Sequence, residues 1–220
     1  VNSFSKMIER LNRLINEVYK SKIKEKEYEM TALQAQINPH FLFNTLNLLY
    51  GLMIANSKKA ESAFMQFIGL MKYMYSKASQ DFVNIEEEVD YIKQYIELQK
   101  NRIDENRTNI SFTYSVSEST EDIRIAPMIL ITFIENALKY GVSSHYESNI
   151  KIDIKIKNGE LNLLTENDIV SPRAKGKEAG IGISNCRKRL ELLYPRRHSL
   201  DISVSDNIYR VNLNIKLKDK

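Results

Sequence analysis

The residue pattern predicts an α + α/β chain. An N-terminal coiled coil and a helical hairpin, which pairs into a four-helix bundle as a dimer, precede an α/β sandwich with helices on one face. Three observations carry this prediction. The 220 residues include only 7 Gly and 4 Pro, which favours long regular elements over a turn-rich all-β fold. Apolar residues recur at spacings of three and four through the first hundred positions, the period of helices packed on one side. From Asn109 the period changes to two, and an Asn158-Gly159 pair stands between two alternating runs, a strong hairpin signal.

Composition narrows the class further. Hydrophobic residues make up 43% and charged residues 27%, near the globular average, which excludes disordered, collagenous and mucin-like chains. The single cysteine, Cys186, excludes an internal disulfide and a cysteine-cluster zinc or iron–sulfur site within one chain. A reducing compartment fits. The net charge of +4 comes from interspersed signs, so no nucleic-acid partner is expected. The most apolar window, residues 41–55, contains Asn44, Thr45 and Asn47 and is shorter than the ~20 residues a membrane span needs. No signal peptide is expected either, and the helical pattern already runs at Val1. The chain therefore reads as a soluble fragment of something longer.

The elements follow in order. Phe4, Met7, Leu11, Leu14 and Val18 alternate by three and four, a coiled-coil seam. The seam weakens through the charged run 20–29 and resumes in shifted phase at Ile23, Met30, Leu33 and Ile37, a change that alters supercoiling. Pro39 does not end the pattern, which continues at Leu46, Leu49, Leu52 and Met53; a proline inside a helix bends it at a cost of ~3 kcal/mol. Gly51 and Asn56-Ser57 predict a turn, and residues 60–79 a second helix, completing an αα-hairpin. Asn84 and Glu87 form a capping-box start for a helix to about Asn101. Then come a strand at 110–116, a helix over 128–140 and a hairpin of 150–156 with 161–165. A polar basic loop follows at 171–180, then a helix over 183–194 and a last hairpin around Asp206-Asn207. The division is a coiled-coil helix over 1–32, further helices over 33–101, and a mixed α/β domain over 102–220.

Three constellations carry chemistry. His40 follows a proline among Phe41, Leu42 and Phe43, and a neutral imidazole nitrogen is a good nucleophile toward phosphorus near neutral pH. Asn44, one turn on, shares its face and can bond the ring or a water. Glu135-Asn136-Ala137-Leu138-Lys139-Tyr140-Gly141 joins an amide and a carboxylate able to arrange a magnesium ion among phosphates, with Lys139 in reach of a phosphate. Read alone, it is equally a helix closed by Gly141. Gly180-Ile181-Gly182-Ile183-Ser184-Asn185 opens a helix after the basic loop. Glycines allow close backbone approach to a phosphate, and a helix N-terminus offers free N–H groups. Its bland reading is a basic loop on the surface.

In this order, the motifs resemble the YesM/LytS-type sensor histidine kinases over nearly the whole chain. Residues 33–44, Leu-Gln-Ala-Gln-Ile-Asn-Pro-His-Phe-Leu-Phe-Asn, are similar to that family's phosphoacceptor motif almost residue for residue. Glu135-Asn136-Ala137 with Gly141 resembles its magnesium-binding N box, and Gly180 to Asn185 with Arg189-Leu190 its G box. Residues 4–18 are similar to the last helix of a HAMP linker. The resemblance implies a Bergerat-type (GHKL) ATP-binding domain and a homodimer. It implies ATP and Mg2+ as cofactors, and transfer of the γ-phosphate to His40 and onward to an aspartate of a response-regulator receiver domain. It implies Asn136 as metal ligand. Asn136, Lys139, Tyr140, Asn167, Gly180, Gly182, Ile183, Asn185 and Arg189 would be nucleotide contacts, and 171–180 an ATP lid. The parent would be a membrane-anchored bacterial sensor with this part in the cytoplasm.

The sequence departs from the family at three places. Asn167 stands where an adenine-binding Asp is expected, with Asp168 next and no Asp-x-Gly-x-Gly stretch. An amide oxygen accepts a hydrogen bond but carries no charge, which predicts weaker nucleotide binding. Tyr140 stands where His is frequent, and Thr132 where Gln is common. Many histidine kinases place an acid directly after the phosphoacceptor, where this chain has Phe41. No carboxylate neighbours His40 in sequence, so Glu135 is the expected base or orienter for the histidine proton. Two other readings compete: a catalytically weak dimeric scaffold with a degenerate ATP site, and a gyrase- or MutL-like ATPase that forms no phosphohistidine.

Overall fold

The computed structural model describes Arg10 and residues 39–55, 58–77, 80–143, 145–170 and 181–217, with backbone alone for 39–41 and 181. The coiled-coil seam and the expected lid over 171–180, with Gly180, lie outside the described residues. Two compact units divide the chain, residues 1–47 and 48–220.

Helix α1 spans Pro39–Ile54. Pro39 is its first described residue, and the bend expected there lies at the edge of the described residues. In the larger unit, α2 (Lys59–Lys77) buries Ala63, Phe67, Leu70 and Met74 at helical spacing. α3 (Ile85–Lys100) is capped as the sequence predicts, with Asn84 Oδ1 accepting from Glu86 N at 2.8 Å. Glu87 turns instead to Lys77 on α2, 2.7 Å away. Both contacts fasten the N-terminal end of α3. Just before it, β1 (Val83–Asn84) pairs antiparallel with β3 (Arg124–Ile125). These two-residue strands have no sequence expectation, because period two needs more residues than that to be visible.

The main sheet is mixed, with strands β2 (Thr108–Val116), β4 (Ser148–Lys157), β5 (Glu160–Asp168), β6 (His198–Ser205) and β7 (Ile208–Lys216) in the order β2-β4-β5-β7-β6. β2 and β4 run parallel and the other neighbours antiparallel. Both predicted tight turns are present: Asn158 and Gly159 have φ of 55° and 73°, Asp206 and Asn207 51° and 61°. Positive φ at both positions matches the twist of a two-residue hairpin. Helices α4 (Leu130–Gly141) and α5 (Ile181–Leu193) complete the domain. α5 begins two residues earlier than its periodicity suggested, so Gly182 lies inside its first turn.

Alternation along the strands builds the core on one face. Ile152, Ile154, Ile156, Leu161, Leu163, Val211, Leu213 and Ile215 are buried there, and α4 packs on β4 and β5. The opposite face is polar. Asn162 Nδ2 donates to Asn212 and Asn214 at 2.7 and 2.8 Å. Asp153 accepts from Thr113 at 2.6 Å and from Lys155. Burial would raise the Asp153 pKa, but the bonds from Lys155 and Thr113 outweigh it and lower the value. Stability from this group is thus present above the unfolded pKa and lost as pH falls through the folded one. Asp153→Asn should be less stable than the parent at neutral pH, and the gap in denaturation midpoints should close below the ordinary aspartate pKa. Among the described residues, no helix is long and apolar enough to cross a membrane.

Candidate functional site

The site grows from α4. Its apolar residues Leu130, Ile131, Phe133, Ile134, Ala137 and Leu138 are buried, which leaves Glu135 and Asn136 half-buried and Lys139 exposed along its margin. Asn136 Nδ2 donates to Thr132 O at 2.6 Å, one turn back. With the nitrogen committed, Oδ1 is the atom available to a cation. Glu135 faces α3: after burial itself, its charge is the largest cause raising the pKa of the phenols of Tyr91 and Tyr95. Lys139 Nζ lies 5.2 Å from the ring centroid of Tyr140.

Gly141 is the last residue of α4, followed by an extended Val142 with φ −89° and ψ 130°. The left-handed glycine stop that its position suggested is not what requires it. A Cβ there would stand 2.8 Å from Asn167 Cβ and 2.9 Å from Ile150 Cγ1. Glycine is needed because helix and sheet touch at this point, and the contact sets the end of α4 directly on Asn167.

Asn167 pairs in register with Ile150 and Tyr209, on the core face of the sheet, and is 1% exposed. Its Nδ2 donates to Asp168 O at 2.9 Å, while Oδ1 is buried without a hydrogen-bond partner. An orphaned buried acceptor costs about 1–3 kcal/mol. A flat ligand with an exocyclic amine would repay it by donating to Oδ1. The neighbouring Asp168 is committed elsewhere, accepting from Asn149 N at 2.7 Å. Asn167, not Asp168, is the acceptor on this face.

The N-terminus of α5 meets the same helix. A Cβ on Gly182 would lie 3.7 Å from Thr132 Cγ2, and Cys186 Sγ is 3.7 Å from Ile129 O. Burial pushes the Cys186 thiol up to about 12, so it stays protonated and acts as packing. Asn185 is exposed and Ile183 half-buried. Arg189 Nη2 donates to Pro127 O at 3.0 Å, which ties this predicted nucleotide contact to the segment before α4. The structure therefore gathers Glu135, Asn136, Lys139, Tyr140, Asn167 and Gly182 around α4. His40 and Asn44 belong to the other unit, residues 1–47. Among the described residues, no group of three or more His, Cys, Asp or Glu could hold a metal by itself. A magnesium ion at Asn136 would depend on phosphate and water oxygens for its other ligands, which is its usual habit.

Sequence reasoning missed Glu88, which is fully buried on α3 and bonds Tyr73 and Met128 N at 2.7 and 3.0 Å. The signal was present: Glu88 sits in the stripe Ile85, Val89, Ile92 and Ile96, where a charge on an apolar face demands a partner.

The histidine kinase family model matches residues 28–107. The sensor histidine kinase YesM of Bacillus subtilis is 31% identical over 206 residues, covering 90% of this chain and 35% of that protein. The sensor protein LytS of Oceanobacillus iheyensis is 29% identical over 199 residues, covering 82% and 33%. The chain thus spans about a third of the length of these relatives. A solved catalytic domain of histidine kinase ThkA covers 62% of this chain and 94% of its own, at 19% identity and a TM-score of 0.43.

Proposed function

We propose, for a chain that belongs to the YesM/LytS-type sensor histidine kinases, that it phosphorylates its own His40 from ATP and passes the phosphoryl group to an aspartate of a response-regulator receiver domain. The observation that carries the ATP site is the buried, unpartnered Oδ1 of Asn167 beneath Gly141. It would accept the adenine amino group, with Lys139 and Tyr140 as further contacts from the last turn of α4, which ends at Gly141. Asn136 Oδ1 would hold magnesium, which supplies neutralisation of the charge developing on the phosphates. Gly182, Ile183 and Asn185 at the α5 N-terminus would offer backbone N–H groups and a positive dipole end to the phosphate chain. The expected lid over 171–180 with Gly180, outside the described residues, belongs to the same proposal. Arg189 acts on this site through Pro127.

In the transfer, a lone pair of the His40 ring attacks the γ-phosphorus. A nitrogen–phosphorus bond forms, the bond to the bridging oxygen breaks, and ADP leaves. The ring must then lose the proton on its other nitrogen, and Glu135 is the group we assign to take it. Asn44 orients the ring or a water. The division into 1–32, 33–101 and 102–220 is part of the same proposal. The hydrogen bonds of α3 to the sheet-bearing part are the route by which its helical half would reach the nucleotide.

A homodimer belongs to the reading as well. Phe43, Leu46, Tyr50 and Met53 follow a three-four-three spacing on α1 and are all exposed, and Phe64, Ile68 and Tyr75 are exposed on α2. Two heptad-like apolar stripes on helices consecutive in the chain suit a four-helix bundle with a second copy. The parent protein would be membrane-anchored, with this part in the cytoplasm.

The direct test is incubation of the chain with γ-labelled ATP and magnesium. Label that is stable to base and lost in acid is the expected result; ATP hydrolysis with no protein-bound label would overturn it.

Asn167→Asp tests the adenine contact. Hydrogen bonds to a charged acceptor exceed neutral ones by about 1 kcal/mol or more, so the variant should bind ATP more tightly by about fivefold or more. Without nucleotide it should be less stable. Burial raises the folded pKa of such a carboxyl, so the loss should grow as pH rises above the unfolded value. Thermal unfolding with and without ATP at pH 5 and pH 8 reads both effects.

A further inference from the structure

The segment that leads into α4 is held at three consecutive residues by three side chains from other elements. Ala126 N donates to the Tyr194 hydroxyl oxygen at 2.8 Å, Pro127 O accepts from Arg189 at 3.0 Å, and Met128 N donates to Glu88 Oε2 at 3.0 Å. Two of these come from α5 or the turn just after it, and the third from α3. Met128 has a φ of 60°, a left-handed conformation that a non-glycine residue keeps only when its surroundings impose it. The N-cap position of α4, Ile129, has no side-chain cap. A helix N-terminus attracts negative charge, and here the carboxylate comes from forty positions upstream, in another helix.

The same oxygen of Glu88 has a second donor. Tyr73 on α2 bonds Oε2 at 2.7 Å, with its ring stacked on Tyr91 of α3 at 4.6 Å between centroids. Glu88 Oε2 thus takes one donor from α2 and one from the foot of α4, and Oε1 has no hydrogen-bond partner. Burial raises the pKa of this carboxyl, and against it the Leu130 amide and the Arg189 charge also favour the ionised form. A displacement of α2 that withdraws the Tyr73 hydroxyl changes the bond that holds Met128.

We propose that Glu88 is a positioning residue: it joins the register of α2, through Tyr73, to the N-terminus of α4 and so to the presentation of Glu135 and Asn136. The inference rests on the reading that α4 carries the nucleotide site, yet part of its test is independent of nucleotide. Tyr73→Phe removes one hydroxyl and keeps the ring stack, so it is the variant of choice. Glu88→Gln keeps the shape and weakens both bonds. A fully truncated Glu88 side chain would leave a void in the core and is avoided.

Amide hydrogen exchange of the intact chain without nucleotide is the first measurement. In Tyr73→Phe the Met128 amide should exchange about tenfold faster, while the Ala126 amide, tied to Tyr194, should keep its parent rate. A hydroxyl that contributed only to overall stability would speed both together. The second measurement is ATP affinity, which should weaken about three- to tenfold in either single variant and hardly further in the pair, because both changes cut one connection. Exchange that rises uniformly, or not at all, overturns the proposal. So does a double variant whose losses simply add. If the parent chain binds no ATP, the kinase reading fails, and the exchange pattern still decides whether Glu88 links α2 to α4.

Discussion

Replacing His40 by alanine is expected to remove all acid-labile label acquired from γ-labelled ATP, while leaving ATP affinity within about twofold of the parent, since the proposed nucleotide contacts lie on other residues. The effect is categorical because no other side chain near the motif makes a nitrogen–phosphorus bond. Asn44 cannot be a nucleophile of this kind, and Thr45 would give a phosphate ester that survives acid. The same variant separates the competing chemistry. An ATPase that forms no phosphohistidine would turn over ATP equally well in His40→Ala. A kinase whose hydrolysis runs through the phosphohistidine loses turnover with the label. Loss of label with an unchanged thermal midpoint assigns the nucleophile to His40. Retained label would move it elsewhere and overturn the reading.

Gly141→Ala is the second large effect. The added methyl would overlap Asn167 Cβ at 2.8 Å and Ile150 Cγ1 at 2.9 Å. Both lie at or next to the backbone of central strands and cannot swing away as the tip of a long side chain can. Overpacking of this kind costs about 1–3 kcal/mol, and each kcal/mol moves the melting point of a domain this size by about 2–4 °C. The functional loss should exceed the loss of stability. The methyl pushes the end of α4 from the strand that carries the buried acceptor, so ATP binding should fall even where the protein remains folded. Calorimetric titration at a temperature well below the variant's midpoint distinguishes the two. By contrast Gly182→Ala meets Thr132 Cγ2 at an ordinary 3.7 Å and should fold normally.

These contrasts show what could be read from the residues and what could not. The two hairpins were legible because Asn158-Gly159 and Asp206-Asn207 are residue types that tolerate positive φ between alternating runs. The mixed α/β character was legible from the same change of period. The cap at Asn84 was legible as local chemistry. The strands β1 and β3 were not, since a two-residue pairing leaves no period and depends on a partner about forty residues away. Gly141 is visible as a glycine, but a helix stop and a close approach look alike in one dimension. The position of Asn167 in the motif order points to it, yet its burial and unpartnered acceptor are properties of the sheet. Glu88 was readable in principle as a charge on an apolar stripe. What it holds was not, because Tyr73 and Met128 are brought to it only by the packing of three elements.

The two tight hairpins also bear on the order in which the molecule assembles. β4 with β5, and β6 with β7, close over two-residue turns, and such ribbons form in about 1–10 μs. The parallel pairing of β2 with β4 joins Thr108 to Ser148, and Val83 must find Ile125. Both require long loops to close before any contact rewards them. The acceptor strand β5 therefore belongs to the early, local part of the assembly, whereas the segment that carries the chain into α4 is among the last to be fastened. Destabilising changes at Val83 or Ile125 should accordingly accelerate unfolding more than they slow refolding. Changes at Asn158 or Gly159 should do the reverse.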